Sequence, residues 1–135
     1  MRTILVVDDE PLVLALIARV LIGAGFEVIT ASEPAQALAT CQDREIRIDL
    51  MLTDLMMPGM NGRELRDRVV EIRPDLPVTY MSGYADSWAC QLMGPDAADV
   101  LLKPFGIASL LTTVKNVVDH ETLAGELDGM KSPAA

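Results

Sequence analysis

The 135-residue sequence is poor in the residues that build staples and soft-metal sites. It has two cysteines, Cys41 and Cys90, without C-x-x-C spacing, and a single histidine, His120. That inventory argues against a disulfide framework, a zinc site and a Cys-His nucleophile. Both cysteines read as buried thiols, and His120 reads as a complement to a helix C-terminal dipole rather than a catalytic group. Basic residues are scarce as well. Eleven Lys+Arg against 20 Asp+Glu leave a formal charge of −9 with no basic run, which disfavours direct binding to nucleic acid or an anionic membrane surface. The longest apolar stretch, Pro11 to Ala24, is broken by Arg19 and too short to span a bilayer. Met1-Arg2-Thr3 leads into a strand-like run rather than a signal peptide, so the expectation is a soluble, cytoplasmic protein. No internal repeat or low-complexity tract interrupts the chain.

What is present is core material. Half the residues are hydrophobic, enough to exclude disorder over most of the length, and the size suits one domain. Five short apolar runs have strand length: Ile4–Val7, Phe26–Thr30, Ile48–Thr53, Val78–Met81 and Val100–Leu102. Between them, segments 11–24, 34–45, 61–72, 86–94 and 106–119 carry apolar residues at intervals of three and four, the helical period. Strict alternation of this kind predicts an α/β fold with a parallel sheet covered on both faces by crossover helices. Gly23 and Gly25 end the first helix, Ser32 and Pro34 open the second, Asn61 caps the third, and Pro74 and Pro77 close it. The expected division is a domain over 1–120 and a C-terminal helix extension with a disordered tail over 121–135.

Ligands of open α/β sheets bind beyond the carboxyl ends of the strands, and four of the five runs end there in reactive groups. The first leads into Asp8-Asp9-Glu10, the third into Asp54, the fourth into Ser82 and the fifth into Lys103-Pro104. Carboxylates converging at one edge repel unless a cation sits among them or they take up protons. Oxygen ligands with no nearby His or Cys favour Mg²⁺. Asp54 as nucleophile, with Lys103 and Ser82 on the equatorial oxygens, makes a phosphoryl-transfer site. Taken singly, Asp8-Asp9 and Ser82-Gly83 are ordinary turns and Lys103 a surface charge. Their joint position carries the reading.

Four motifs in order, Asp8-Asp9-Glu10-Pro11, Leu52 through Gly62 around Asp54, Met81-Ser82-Gly83-Tyr84 and Leu102-Lys103-Pro104-Phe105, resemble response-regulator receiver domains over residues 3 to about 120. The resemblance implies a doubly wound, flavodoxin-like (βα)5 fold with strand order 2-1-3-4-5. It further implies that Asp54 is the phosphoacceptor, taking a phosphoryl group from a histidine kinase or histidine phosphotransfer domain. Asp9 is then a direct Mg²⁺ ligand, Asp8 acts through metal-bound water, and Asp54 and the Met56 carbonyl complete the protein ligands. Lys103 pairs with Asp54 or its phosphate, Ser82 moves onto the phosphoryl oxygen, and the Lys103-Pro104 peptide is cis. Such a module is a bacterial signalling switch, monomeric or weakly dimeric, rather than a turnover enzyme.

Two positions depart from the family pattern. Val100 stands where receivers commonly carry Tyr or Phe, and a β-branched side chain has no ring to swing. Met56 and Tyr84 offer no carboxamide or carboxylate to orient water, which implies slow self-dephosphorylation. The first helix is apolar nearly all round. Leu16, Ile17, Val20 and Leu21 suffice to face the sheet, leaving Leu12, Leu14, Ala18 and Ile22 for the terminal helix or for a docked histidine-bearing bundle. Trp88 and Cys90 suggest packing or partner contacts, and 86–93 a site for dimerisation. The rival within the family is the receiver module of a hybrid histidine kinase. From other classes, a Mg-dependent aspartyl-phosphate phosphatase lacks its Asp-x-Asp after the first strand, and an FMN binder would not tolerate three acids in its phosphate loop.

Overall fold

The computed structural model describes residues 2–82, the backbone of 100–102, and residues 106–118. The chain begins with β1 (Thr3–Val7), α1 (Pro11–Gly23), β2 (Glu27–Ala31) and α2 (Pro34–Gln42). It continues through β3 (Leu50–Asp54), α3 (Gly62–Ile72) and β4 (Val78–Ser82). A three-residue β5 (Val100–Leu102) and a helix over 107–118 follow. β1 lies between β2 and β3, and β4 lies beyond β3, every pair parallel. β5 pairs with β4 through its backbone, Ser82 opposite Leu102.

Burial follows from that order. β1 and β3 are buried at all five positions, because helices cover both faces and neighbours flank both edges. β2 has one neighbour and is buried only at Ala31. On one face, Ile4, Val6, Leu50, Leu52 and Met81 pack against α1 and the 107–118 helix through Ile17, Leu21, Leu110 and Val114. On the other, Leu5, Val7 and Met51 meet α2 and α3 through Ala37, Cys41, Leu65 and Val69. Each of the Val, Leu, Ile and Met side chains among them contributes roughly 1.5–3 kcal/mol of burial free energy. Cys41 is indeed a buried thiol.

Two local expectations need correction. The cap of α2 is Glu33 rather than Ser32, because Pro34 opens the helix and the cap residue immediately precedes it. Ser32 instead donates from its backbone N–H and hydroxyl to Gln36 Oε1, at 2.7 and 3.1 Å. On α1 the core-facing stripe is Leu14, Ile17 and Leu21, with Leu16 turned outward at 60% exposure. Spacings of three and four select that stripe, and Leu16 sits on nearly the opposite side of the wheel from Leu14. The expected Asn61 cap of α3 is present as a reciprocal box: Glu64 N–H donates to Asn61 Oδ1 at 2.8 Å and Asn61 N–H to Glu64 Oε1 at 3.4 Å. Among the described residues, no helix is long and apolar enough to cross a membrane. The expectations for 86–94, Trp88, Cys90, His120 and the 121–135 extension lie outside the described residues.

Candidate functional site

Three acidic side chains meet where the central strands end. β1 and β3 are neighbours in register, Val7 opposite Thr53, so the residues that follow, Asp8 and Asp54, emerge side by side at the C-terminal end of the sheet. Carboxylate oxygens of Asp8, Asp9 and Asp54 all lie within 4.8 Å of one another. Asp8 is fully buried and Asp54 is 6% exposed, while Asp9 faces solvent. Two unit charges at that separation repel by roughly 3 kcal/mol at an effective dielectric near 20, less where water reaches Asp9. A cluster of oxygens alone, with no sulfur or imidazole, suits a hard divalent cation.

The backbone holds this cluster in place. Asp8 Oδ1 accepts from the Glu10 N–H at 2.9 Å, a turn that fixes the carboxylate as the chain enters α1. The Asp8 N–H donates to the Ala31 carbonyl at 3.2 Å, tying it to the end of β2. Asp54 pairs with Met81 across β3 and β4, and the next N–H, that of Leu55, donates to the Met81 carbonyl at 2.8 Å. Thr53 Oγ1 donates to the Asp54 carbonyl at 3.0 Å.

Gly62 is a structural requirement of the site. Its N–H donates to the Leu55 carbonyl at 2.7 Å, bringing the start of α3 onto the backbone beside Asp54. A Cβ at this position would stand 2.5 Å from the Asp54 carbonyl oxygen. Gly59, at φ +86°, makes the turn between Asp54 and the helix. The signal was available in the sequence: a glycine immediately after a capping Asn and near the acidic strand end.

Of the other expected site residues, Ser82 is buried and ends β4, one residue beyond Met81. Met56 is half-buried in the loop after Asp54 and packs against the Leu55–Tyr80 cluster. Lys103 and the Lys103-Pro104 peptide lie outside the described residues, and Val100 is described by its backbone alone.

The sequence model of the response regulator receiver domain matches residues 4–115. The chain belongs to that family. The receiver is 36% identical over 115 residues to the DNA-binding response regulator MtrA of Mycolicibacterium smegmatis, a match covering 84% of this chain and 49% of MtrA. It is 32% identical over 120 residues to the sensor kinase CckA of Brucella abortus, covering 88% of this chain and 13% of the kinase. The chain therefore spans about half the length of MtrA and a small part of CckA. A solved response regulator receiver domain protein from Clostridium thermocellum superposes with a TM-score of 0.82 at 30% identity, covering 92% of this chain and 99% of that one. The receiver is thus a two-component signalling module of a family whose members act as switches.

Proposed function

We propose that this receiver takes a phosphoryl group from phosphohistidine onto Asp54 in a Mg²⁺-dependent reaction and so acts as a phosphorelay switch. The observation that carries the reading is the convergence of Asp8, Asp9 and Asp54 within 4.8 Å at the end of the sheet where α/β folds bind ligands. The donor set fits the ion: Asp9, Asp54 and the Met56 carbonyl would hold Mg²⁺ directly, with Asp8 acting through metal-bound water. When bound, the ion neutralises the carboxylates and the incoming phosphoryl oxygens.

The chain's own groups do the rest. An Asp54 carboxylate oxygen attacks phosphorus, an O–P bond forms as the N–P bond breaks, and the imidazole departs with the electron pair. Lys103 balances the charge on one phosphoryl oxygen and Ser82 donates to another. With no carboxamide or carboxylate at Met56 or Tyr84 to orient an attacking water, self-dephosphorylation of the acyl phosphate is slow. The complete architecture we assign is the doubly wound (βα)5 fold, order 2-1-3-4-5, over 1–120, with 121–135 as an extension. The setting is cytoplasmic, and the module works as a monomer or weak dimer without direct contact to nucleic acid or membrane.

The partner is a histidine kinase or histidine phosphotransfer domain. Leu12 and Leu16, on the α1 side turned away from the sheet and 84% and 60% exposed, offer an apolar stripe for its helical bundle. A second reading, a receiver module of a hybrid sensor kinase, is favoured by the similarity to a segment of CckA.

Intact mass after incubation with a small phosphodonor tests the proposal, using wild type and Asp54→Ala, with Mg²⁺ and with excess chelator. One phosphoryl adduct that requires both Asp54 and Mg²⁺ is expected. An adduct that survives in folded Asp54→Ala, or none in folded wild type, overturns it.

A further inference from the structure

The strand that carries the proposed phosphoacceptor holds a hydroxyl that packing does not call for. β3 reads Leu50, Met51, Leu52, Thr53, Asp54 and is buried at every position. Thr53 has no exposed surface and lies in register between Val7 of β1 and Tyr80 of β4. A buried hydroxyl costs free energy unless it is bonded, and valine offers the same branched shape to a central strand without that cost.

That hydroxyl donates to the carbonyl of the next residue, Asp54, at 3.0 Å. The N–H of the same peptide, that of Leu55, donates to the Met81 carbonyl at 2.8 Å. A planar peptide bonded at both ends has its orientation fixed, and with it the ψ angle of Asp54. The next peptide is held too, its Leu55 carbonyl accepting from the Gly62 N–H at 2.7 Å. α3 closes on the same oxygen that Thr53 serves, since a Cβ at Gly62 would stand 2.5 Å from it. The Met56 carbonyl offered to the ion follows one peptide later.

We propose that Thr53 is a positioning residue of the acidic site: its hydroxyl pins the Asp54–Leu55 peptide and so sets where the Asp54 carboxylate and the Met56 carbonyl stand. The inference deepens the phosphoryl-transfer reading and rests on it for its kinetic consequence. Thr53 acts through the Asp54 backbone rather than on the ion or the phosphoryl group. Groups that hold a metal ligand or a nucleophile in place commonly matter by about tenfold or more in affinity or activity.

The test compares full-chain wild type with Thr53→Val, which keeps the shape and loses the hydroxyl, and Thr53→Ser, which keeps the hydroxyl. In Thr53→Val, calorimetric titration is expected to show Mg²⁺ affinity about tenfold weaker, and adduct formation from a small phosphodonor at saturating Mg²⁺ about tenfold slower. In the metal-free variant the Leu55 and Gly62 amides should exchange with solvent faster than in wild type. Thr53→Ser restores all three readouts. A purely structural threonine would move the urea midpoint and leave affinity, and the rate at saturating Mg²⁺, unchanged; that result in folded Thr53→Val overturns the proposal. So does a Thr53→Ser variant as impaired as Thr53→Val, since the methyl group and not the hydroxyl then carries the effect. If wild type forms no adduct, the phosphoryl reading falls by itself, and the titration and exchange decide the positioning role.

Discussion

The two ends of one sheet handle charge in opposite ways. At the C-terminal end three carboxylates of one sign crowd within 4.8 Å. At the N-terminal end the signs interleave: Arg2 and Arg47 flank Asp49, whose other oxygen accepts from the Thr3 N–H at 2.8 Å. Beside them Arg73 donates to the carbonyls of Cys41 at 2.9 Å, and of Asp43 and Ile46 at 2.7 Å each. Crowded like charge raises the energy of the folded state, and such conflicts are retained where a ligand relieves them. Interleaved charge and satisfied carbonyls hold loops together. Substitutions at the N-terminal end should therefore move stability and leave metal binding alone, and those at the C-terminal end should do the reverse.

The sharpest test is Arg73→Met, which keeps much of the aliphatic volume and removes the guanidinium. Three carbonyls, two of them part-buried, lose a charged donor, for an expected loss of about 3 kcal/mol in urea unfolding. Mg²⁺ affinity should not change. A tenfold fall in affinity with the same variant would break the separation between the two ends. Gly62→Ala is the next largest and is expected to cross that boundary. Its Cβ would press on the Asp54 carbonyl, so about 2 kcal/mol of stability and part of the Mg²⁺ affinity should go together. If unfolding moves and the metal titration does not, the Asp54 loop is more compliant than a 2.5 Å approach to backbone implies.

The same contrast explains what could be read from the sequence. The acidic cluster was legible because its members lie at or just beyond the ends of strands, and strand ends of a parallel sheet converge by topology: Asp8 and Asp54 needed only their positions after Val7 and Thr53. The Asn61 cap was legible for the same local reason, since its partner Glu64 lies three residues away. The Arg73 clamp was not, because its acceptors are backbone carbonyls 27 to 32 residues distant and no side-chain pattern marks a carbonyl. The exposed face of α1 was misread where Leu14 and Leu16 exchanged roles. In a helix apolar nearly all round, composition cannot say which stripe the sheet will choose, and only the packing of Leu14, Ile17 and Leu21 settles it.

Asp9→Asn probes the crowded end more gently. Asp9 is exposed, so solvent already screens its charge, and the metal-free protein should gain only roughly 2 °C in thermal midpoint. Mg²⁺ binding should weaken about tenfold or more in the same variant, the opposite pattern to Arg73→Met. A midpoint that falls in the presence of chelator would mean the carboxylate stabilises the fold, and the crowding argument would fail at that position.

The smallest effect sits at the N-terminal end and appears only at alkaline pH. Burial pushes the Cys41 thiol above its ordinary value of 9.0, with the Arg73 guanidinium pulling weakly the other way. A raised folded value means the folded chain keeps its proton while the unfolded chain gives it up. The stabilising contribution is therefore whole below pH 9 and declines as pH climbs from there to the folded value, at no more than about 1.4 kcal/mol per pH unit. Urea midpoints measured from pH 8 to 10.5 should fall more steeply for wild type than for Cys41→Ala, whatever constant offset the lost sulfur adds. In Arg73→Met the opposing guanidinium is gone, so the decline should extend to higher pH. That links the alkaline limb to the same residue that clamps the loop, and equal slopes in all three proteins would detach it.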